Sequence, residues 1–156
     1  MLQENLIGMY EASFRENSAL PALTDYFSGE TLSYLGMAEQ MARLHILFEN
    51  AGIAEGDKIA LIGRNNVRWC VTYIVPILQD FNPADVVNIV NHSESRLLFA
   101  GDNFWQALDV DRMPALEGAF DLADFGVMYE REQGRLSGVM NRLDAMFDDK
   151  YPTGFG

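Results

Sequence analysis

The apolar positions change their period several times along this chain. Leu6, Tyr10 and Phe14 stand four apart, with Ile7 beside them, and put one apolar face on a helix within residues 5–17. The stretch "ALTDYFSGETLSY" predicts two short strands joined at Ser28-Gly29, because glycine accepts the positive φ of a hairpin turn. From Leu35 to Asn50, Met37, Met41, Leu44 and Phe48 recur at spacings of four, three and four, the pattern of an amphipathic helix. "ENAG" ends that helix with Gly52, where a left-handed C-cap is wanted.

In "EGDKIALIG" the apolar run is continuous instead of alternating, which predicts a strand buried on both faces, as in a parallel sheet. Asn65 or Asn66 can cap the next helix, which carries Trp69, Cys70 and Tyr73. "FNPADVVNIVN" opens another helix, with Asn82 as N-cap, Pro83 at the first helical position and Asp85 near the positive helix end. "SRLLFAGD" predicts a strand. After Phe104 the pattern loosens, with one strand predicted near "FGVMY" and a last helix carrying Leu136, Met140, Leu143 and Phe147. The alternation of helix and strand predicts an α/β fold, helices layered on a mixed, partly parallel sheet, in a single domain over residues 1–156.

One junction breaks the pattern. The helix bearing Trp69 runs toward Val75-Pro76 without the connection of about two to six residues that such units use. No Gly, Asn, Asp or Ser lies between Thr72 and Pro76, and a residue before proline is pushed toward extended geometry. Either residues are absent near Ile74-Val75, or the helix ends abruptly into an extended edge segment.

Composition narrows the function classes. The 156 residues are 49% hydrophobic, enough for one core, and carry a net charge of -12. Such an acidic balance argues against nucleic acid and anionic membrane surfaces as partners. The single cysteine, Cys70, forms no internal disulfide, so a reducing, cytoplasmic setting is expected. No basic end followed by an apolar run begins the sequence, and no apolar stretch approaches the roughly 20 residues of a spanning helix.

Candidate chemistry is thin. "LIGRNN" lies where an anion site could form at a helix N-terminus, but its one glycine matches neither phosphate-loop pattern, so it reads as a structural turn. "DFG" at Asp124–Gly126 lacks every companion motif of a kinase. His45 and His92 have no metal-ligand spacing, and Cys70 beside Trp69 reads as a small apolar residue packed in the core. Trp69, Tyr73 and the methionines are expected in the core as well. Ser93 and Ser95 in "HSES" fall where a helix should end, and are expected in a turn. Asp109 with Asp111, and Asp121 with Asp124, do not match a calcium loop and read as exposed loop acids. No catalytic, cofactor-binding or metal residue is assigned.

In order and spacing these pieces resemble the N-terminal part of the acyl-adenylate-forming (AMP-binding) enzymes, and most of all bacterial long-chain fatty-acid CoA ligases. "LSY" at Leu32–Tyr34, opening a helix after a hairpin, is similar to the family's first core motif. "GDKIALIGRNNVRW" resembles its strand, asparagine and aromatic-bearing helix, and "VPI" at Val75–Ile77 the end of its second core motif. "FNPADVVNIVNHSESRLLFAGD" and the tail "KYPTGF" continue the likeness, which runs from about Asn5 to Phe155. Relative to the family the chain lacks roughly ten residues after the Trp69 helix, where connection length already raised the question.

The resemblance implies a parent enzyme that uses ATP and magnesium to convert a fatty carboxylate to acyl-AMP and then passes the acyl group to CoA. It also implies that the phosphate loop, adenine segment and C-terminal lid lie outside this sequence. The chain is then expected to be scaffold, to bind no cofactor itself, and to have the remainder of the parent enzyme as its partner. Alone it is expected to be inactive and to self-associate through apolar surface. A non-catalytic α/β binding or interaction module is the alternative. A stand-alone doubly wound nucleotide-binding protein is disfavoured by the missing glycine loop.

Overall fold

A computed structural model describes residues 6–74 and 83–154. The junction beyond Ile74, the motif Val75–Ile77, the Asn82 cap and the tail beyond Gly154 lie outside the described residues.

Helix α1 spans Leu6–Glu16; on it Tyr10 stacks against Phe14, whose ring tilts 5.9 Å from Tyr34. Strands β1 (Pro21–Thr24) and β2 (Thr31–Ser33) pair antiparallel. The turn between them is wider than Ser28-Gly29. The Asp25 carboxylate accepts from the N–H groups of Phe27 and Ser28 at 2.8 Å each, and the Asp25 N–H donates to the Glu30 carbonyl. Gly29 supplies the positive φ, at 74°.

Helix α2 (Tyr34–Asn50) is capped at both ends by its own sequence. The Ser33 hydroxyl accepts from the Gly36 N–H at 3.0 Å. At the other end Gly52, φ 69°, donates to the Glu49 carbonyl, and the Ile53 N–H reaches back to that of Phe48. This paired 5→2 and 6→1 bonding is the Schellman motif, which gives otherwise orphaned carbonyls their partners.

The sheet has order β3-β4-β5-β6, from β3 (Ile59–Ile62), β4 (Leu97–Ala100), β5 (Gly118–Asp121) and β6 (Val127–Glu130). The first two pairings are parallel and the third antiparallel, giving the mixed sheet expected. Alternate residues feed opposite cores, as the pleat requires. Ile59, Leu61, Leu97, Phe99 and Phe120 join α2, helix α3 (Val67–Ile74) and the C-terminal helices in one core. Ala60, Ile62, Leu98, Ala100 and Ala119 face helix α4 (Pro83–Ser93) with Met113 and Leu116. Every residue of β3 and β4 is buried, which explains why both appear as unbroken apolar runs. Phe99 is the aromatic hub: it stacks on Phe120 at 5.0 Å and meets Phe48 and Phe125 edge-on.

Beyond β4 come a short helix α5 (Asp102–Trp105) and a 3-10 turn at Val110–Arg112. Strand β5 then fills the centre of the sheet, in a region where the pattern alone predicts no strand. The single last helix is corrected to two, α6 (Arg135–Met140) and α7 (Leu143–Lys150). At the break the Arg142 N–H bonds to Val139 instead of Gly138, and the Arg142 guanidinium takes the freed Gly138 carbonyl at 3.1 Å. Leu136, Leu143 and Phe147 still point into one core, so the apolar spacing survives the tightened turn. Of the methionines, Met37 and Met113 are core residues as expected, but Met9 is exposed.

α7 lies along α2, held by Arg43 to Asp144 and Lys150 to Glu49, with the Arg43 guanidinium over the Phe147 ring. Among the described residues, no helix is long and apolar enough to cross a membrane.

Candidate functional site

Ligands in α/β folds gather beyond the carboxyl ends of parallel strands, so that edge is the place to look. Here it is formed by the turn after β3, Gly101 after β4, and the turn from β5 into β6.

Sequence offers Asn65 or Asn66 as the cap of α3, and the structure selects Asn66. Its side-chain oxygen accepts from the Trp69 N–H at 2.7 Å, while its amide nitrogen donates to the Leu122 carbonyl at 3.0 Å. The first turn of α3 is thus occupied by a protein group, as a structural turn requires. Gly63 is needed beside it for close approach. A Cβ there would stand 2.6 Å from Leu122 Cδ1 and 3.3 Å from the Gly101 nitrogen. Within "LIGRNN", Gly63 and Asn66 therefore pack against the ends of β4 and β5, while Arg64 and Asn65 stay exposed.

The acids at this edge are turn-builders. Asp121 accepts from the Ala123 N–H at 2.8 Å and Asp124 from the Gly126 N–H at 2.6 Å, which closes the "DFG" turn between β5 and β6. Phe125 sits in that turn at φ 63°, unusual for an aromatic residue, with its ring buried against Phe99. Elsewhere Asp109 accepts from the Asp111 N–H at 3.2 Å and starts the 3-10 turn. The two aspartate pairs belong to separate turns.

The remaining candidates are also apart. His45 and His92 are exposed on α2 and α4. Cys70 is half-buried against the α2 core, and burial pushes its thiol up. Ser93 and Ser95 do form a turn: their hydroxyls lie 2.7 Å apart, and Ser93 also donates to the Ile89 carbonyl at 2.6 Å. Ser95 and Glu94 close α4 by a second Schellman pattern, the Ser95 N–H to Val90 and the Glu94 N–H to Asn91. Glu94 takes the left-handed position, φ 56°, that glycine normally fills. Among the described residues, no group of three His, Cys, Asp or Glu is placed to hold a metal ion.

The dense electrostatics lie at the opposite, amino edge of the parallel strands. Arg96, just before β4, is paired with Asp57 before β3 and with Glu117 before β5 at 2.7 Å. Arg135 of α6 adds a second cation to Glu117 at 2.9 Å, and its other terminal nitrogen reaches the Ala51 carbonyl at 2.7 Å. The Arg96 guanidinium, bonding directly to Glu117, holds that carboxyl below its ordinary value. Asp57 is lowered first by the Ala54 N–H and then by Arg96. No local motif announces this cluster, because its partners are 21 and 39 residues apart. It ties three strand starts to the C-cap of α2, a structural task.

Glu130, at the end of β6, caps α6 from outside that helix. Its carboxylate accepts from the N–H groups of Gly134, Leu136 and Ser137 and from the Ser137 hydroxyl, all within 3.0 Å. These bonds, the Ser137 N–H first, pull it from the ordinary 4.5 down to about 2.

Comparison with known proteins places this arrangement. No protein-family model matches the chain. A fatty acid–[acyl-carrier-protein] ligase, ScoC of Streptomyces coeruleorubidus, is 30% identical over 96 residues, which is 56% of this chain and 18% of that protein. The anthranilate CoA ligase AuaEII, solved with anthranoyl-AMP, superposes with a TM-score of 0.67 at 13% identity, over 80% of this chain and 26% of that one. The inhibitor-bound N-terminal domain of FACL13 from Mycobacterium tuberculosis gives a TM-score of 0.65 at 18% identity, over 92% of this chain and 36% of that one. The coronafacic acid ligase of Pectobacterium brasiliense gives 0.66 at 16% identity, over 75% and 25%. The present chain thus spans a minor part of each of these proteins, and it carries the fold of the N-terminal part of the acyl-adenylate-forming ligases.

Proposed function

We propose that this chain is the N-terminal scaffold of an ATP-dependent ligase that activates a carboxylic acid as its acyl-AMP and hands the acyl group to a thiol. A long-chain fatty acid and CoA are the substrates we assign to that parent enzyme, with ATP and magnesium. The observation that carries the reading is the fold shared over 92% of the chain with the N-terminal domain of FACL13, together with the fold of the CoA ligase AuaEII. The sequence match to a fatty acid–[acyl-carrier-protein] ligase supports a fatty acid as the acid, while the acceptor named for that relative is a carrier protein and not CoA.

A carboxylate is a poor electrophile, and a mixed anhydride with AMP gives it a leaving group. Forming that anhydride needs donors and cations arrayed around the phosphates. At the carboxyl edge described here, the amide of Asn66 and the carboxylates of Asp121 and Asp124 are already engaged by the protein. What these residues supply is a rigid layer: a packed strand edge, capped helices and a closed turn on which nucleotide-binding segments can rest. The part is cytoplasmic in this account, and it self-associates when separated from its partner region.

Intact-mass measurement on the protein made from its native gene tests the reading. A mass above that of these 156 residues supports a longer parent, and acyl-AMP formation is then assayed on it. A mass equal to theirs removes the parent enzyme and leaves a stand-alone module.

A further inference from the structure

We draw no further inference here: the strongest candidate, the exposed aromatic patch of Tyr26 and Phe27 beside Arg64 at the tip of the β1–β2 hairpin, carries none because nothing in the structure shows what covers it.

Discussion

The side-chain amide of Asn66 donates to the carbonyl of Leu122 at 3.0 Å, joining the first turn of α3 to the carboxyl end of β5 across 56 residues of sequence. The same side chain caps α3 through the Trp69 N–H. One residue therefore serves a local and a tertiary need, and substitutions can separate the two. Asn66→Asp keeps the cap but loses the donor to Leu122, and is expected to cost about 1 kcal/mol. Asn66→Ala loses both and is expected to cost about 2 kcal/mol. Urea unfolding followed by circular dichroism measures each; equal costs would show that the cap contributes nothing, and an Asn66→Asp that costs nothing would show the same of the bond to Leu122.

Glu94 and Phe125 both occupy left-handed backbone, at φ 56° and 63°, yet opposite outcomes are expected on replacing them with glycine. Glu94 is exposed, so Glu94→Gly relieves the conformation at little packing cost and should stabilise by about 0.5–1 kcal/mol. Phe125 is buried against Phe99, and losing its ring costs about 3–5 kcal/mol against about 1–2 kcal/mol of relief. Phe125→Gly should therefore destabilise, by about 2 kcal/mol. Paired denaturation midpoints decide both signs.

Gly118 opens β5 directly under the fully packed Leu136. A Cβ there would fall 2.1 Å from Leu136 Cδ1 and 3.4 Å from both Leu97 Cδ2 and the Tyr129 carbonyl. Gly118→Ala is expected to cost about 1–3 kcal/mol through overpacking. Combining it with Leu136→Val should recover part of the loss, read as non-additive shifts in thermal midpoint.

That glycine also shows where the sequence is hard to read. Strands β3 and β4 are legible because every one of their residues is buried, so the apolar run stands out. Strand β5 reads Gly-Ala-Phe-Asp: two small residues and a terminal acid hide a central strand whose identity comes from β4 and β6 on either side. The caps at Ser33, Gly52 and Asn66 are local and could be anticipated, in the last case as one of two neighbours. The bonds from Arg96 to Glu117 and from Glu130 to α6 depend on folded neighbours. Of the candidate site, the turn expected at Ser93 and Ser95 is found at the end of α4; the aspartates, expected as exposed loop acids, build turns, with Asp121 half-buried as the last residue of β5.

Acid should weaken the fold in a defined window. Folding lowers the Glu130 carboxyl from 4.5 to about 2, so its stabilising contribution is fully present above the unfolded value and is lost as pH falls through the folded one. Glu117 and Asp57 shift in the same direction and reinforce the trend. Unfolding midpoints are expected to fall between about pH 5 and about pH 2. Glu130→Gln should lower stability at neutral pH and flatten this dependence; an unchanged slope would remove Glu130 from the explanation.

On the function proposed, this chain supplies scaffold and acyl activation needs the remainder of a ligase. Carboxylate-dependent exchange of pyrophosphate into ATP is the test. It would be measured on the chain alone and on the chain fused to the C-terminal remainder of the Streptomyces ligase it resembles. The prediction is no exchange by the chain alone and exchange by the folded fusion. Exchange by the chain alone, or a folded fusion that catalyses none, would contradict the claim.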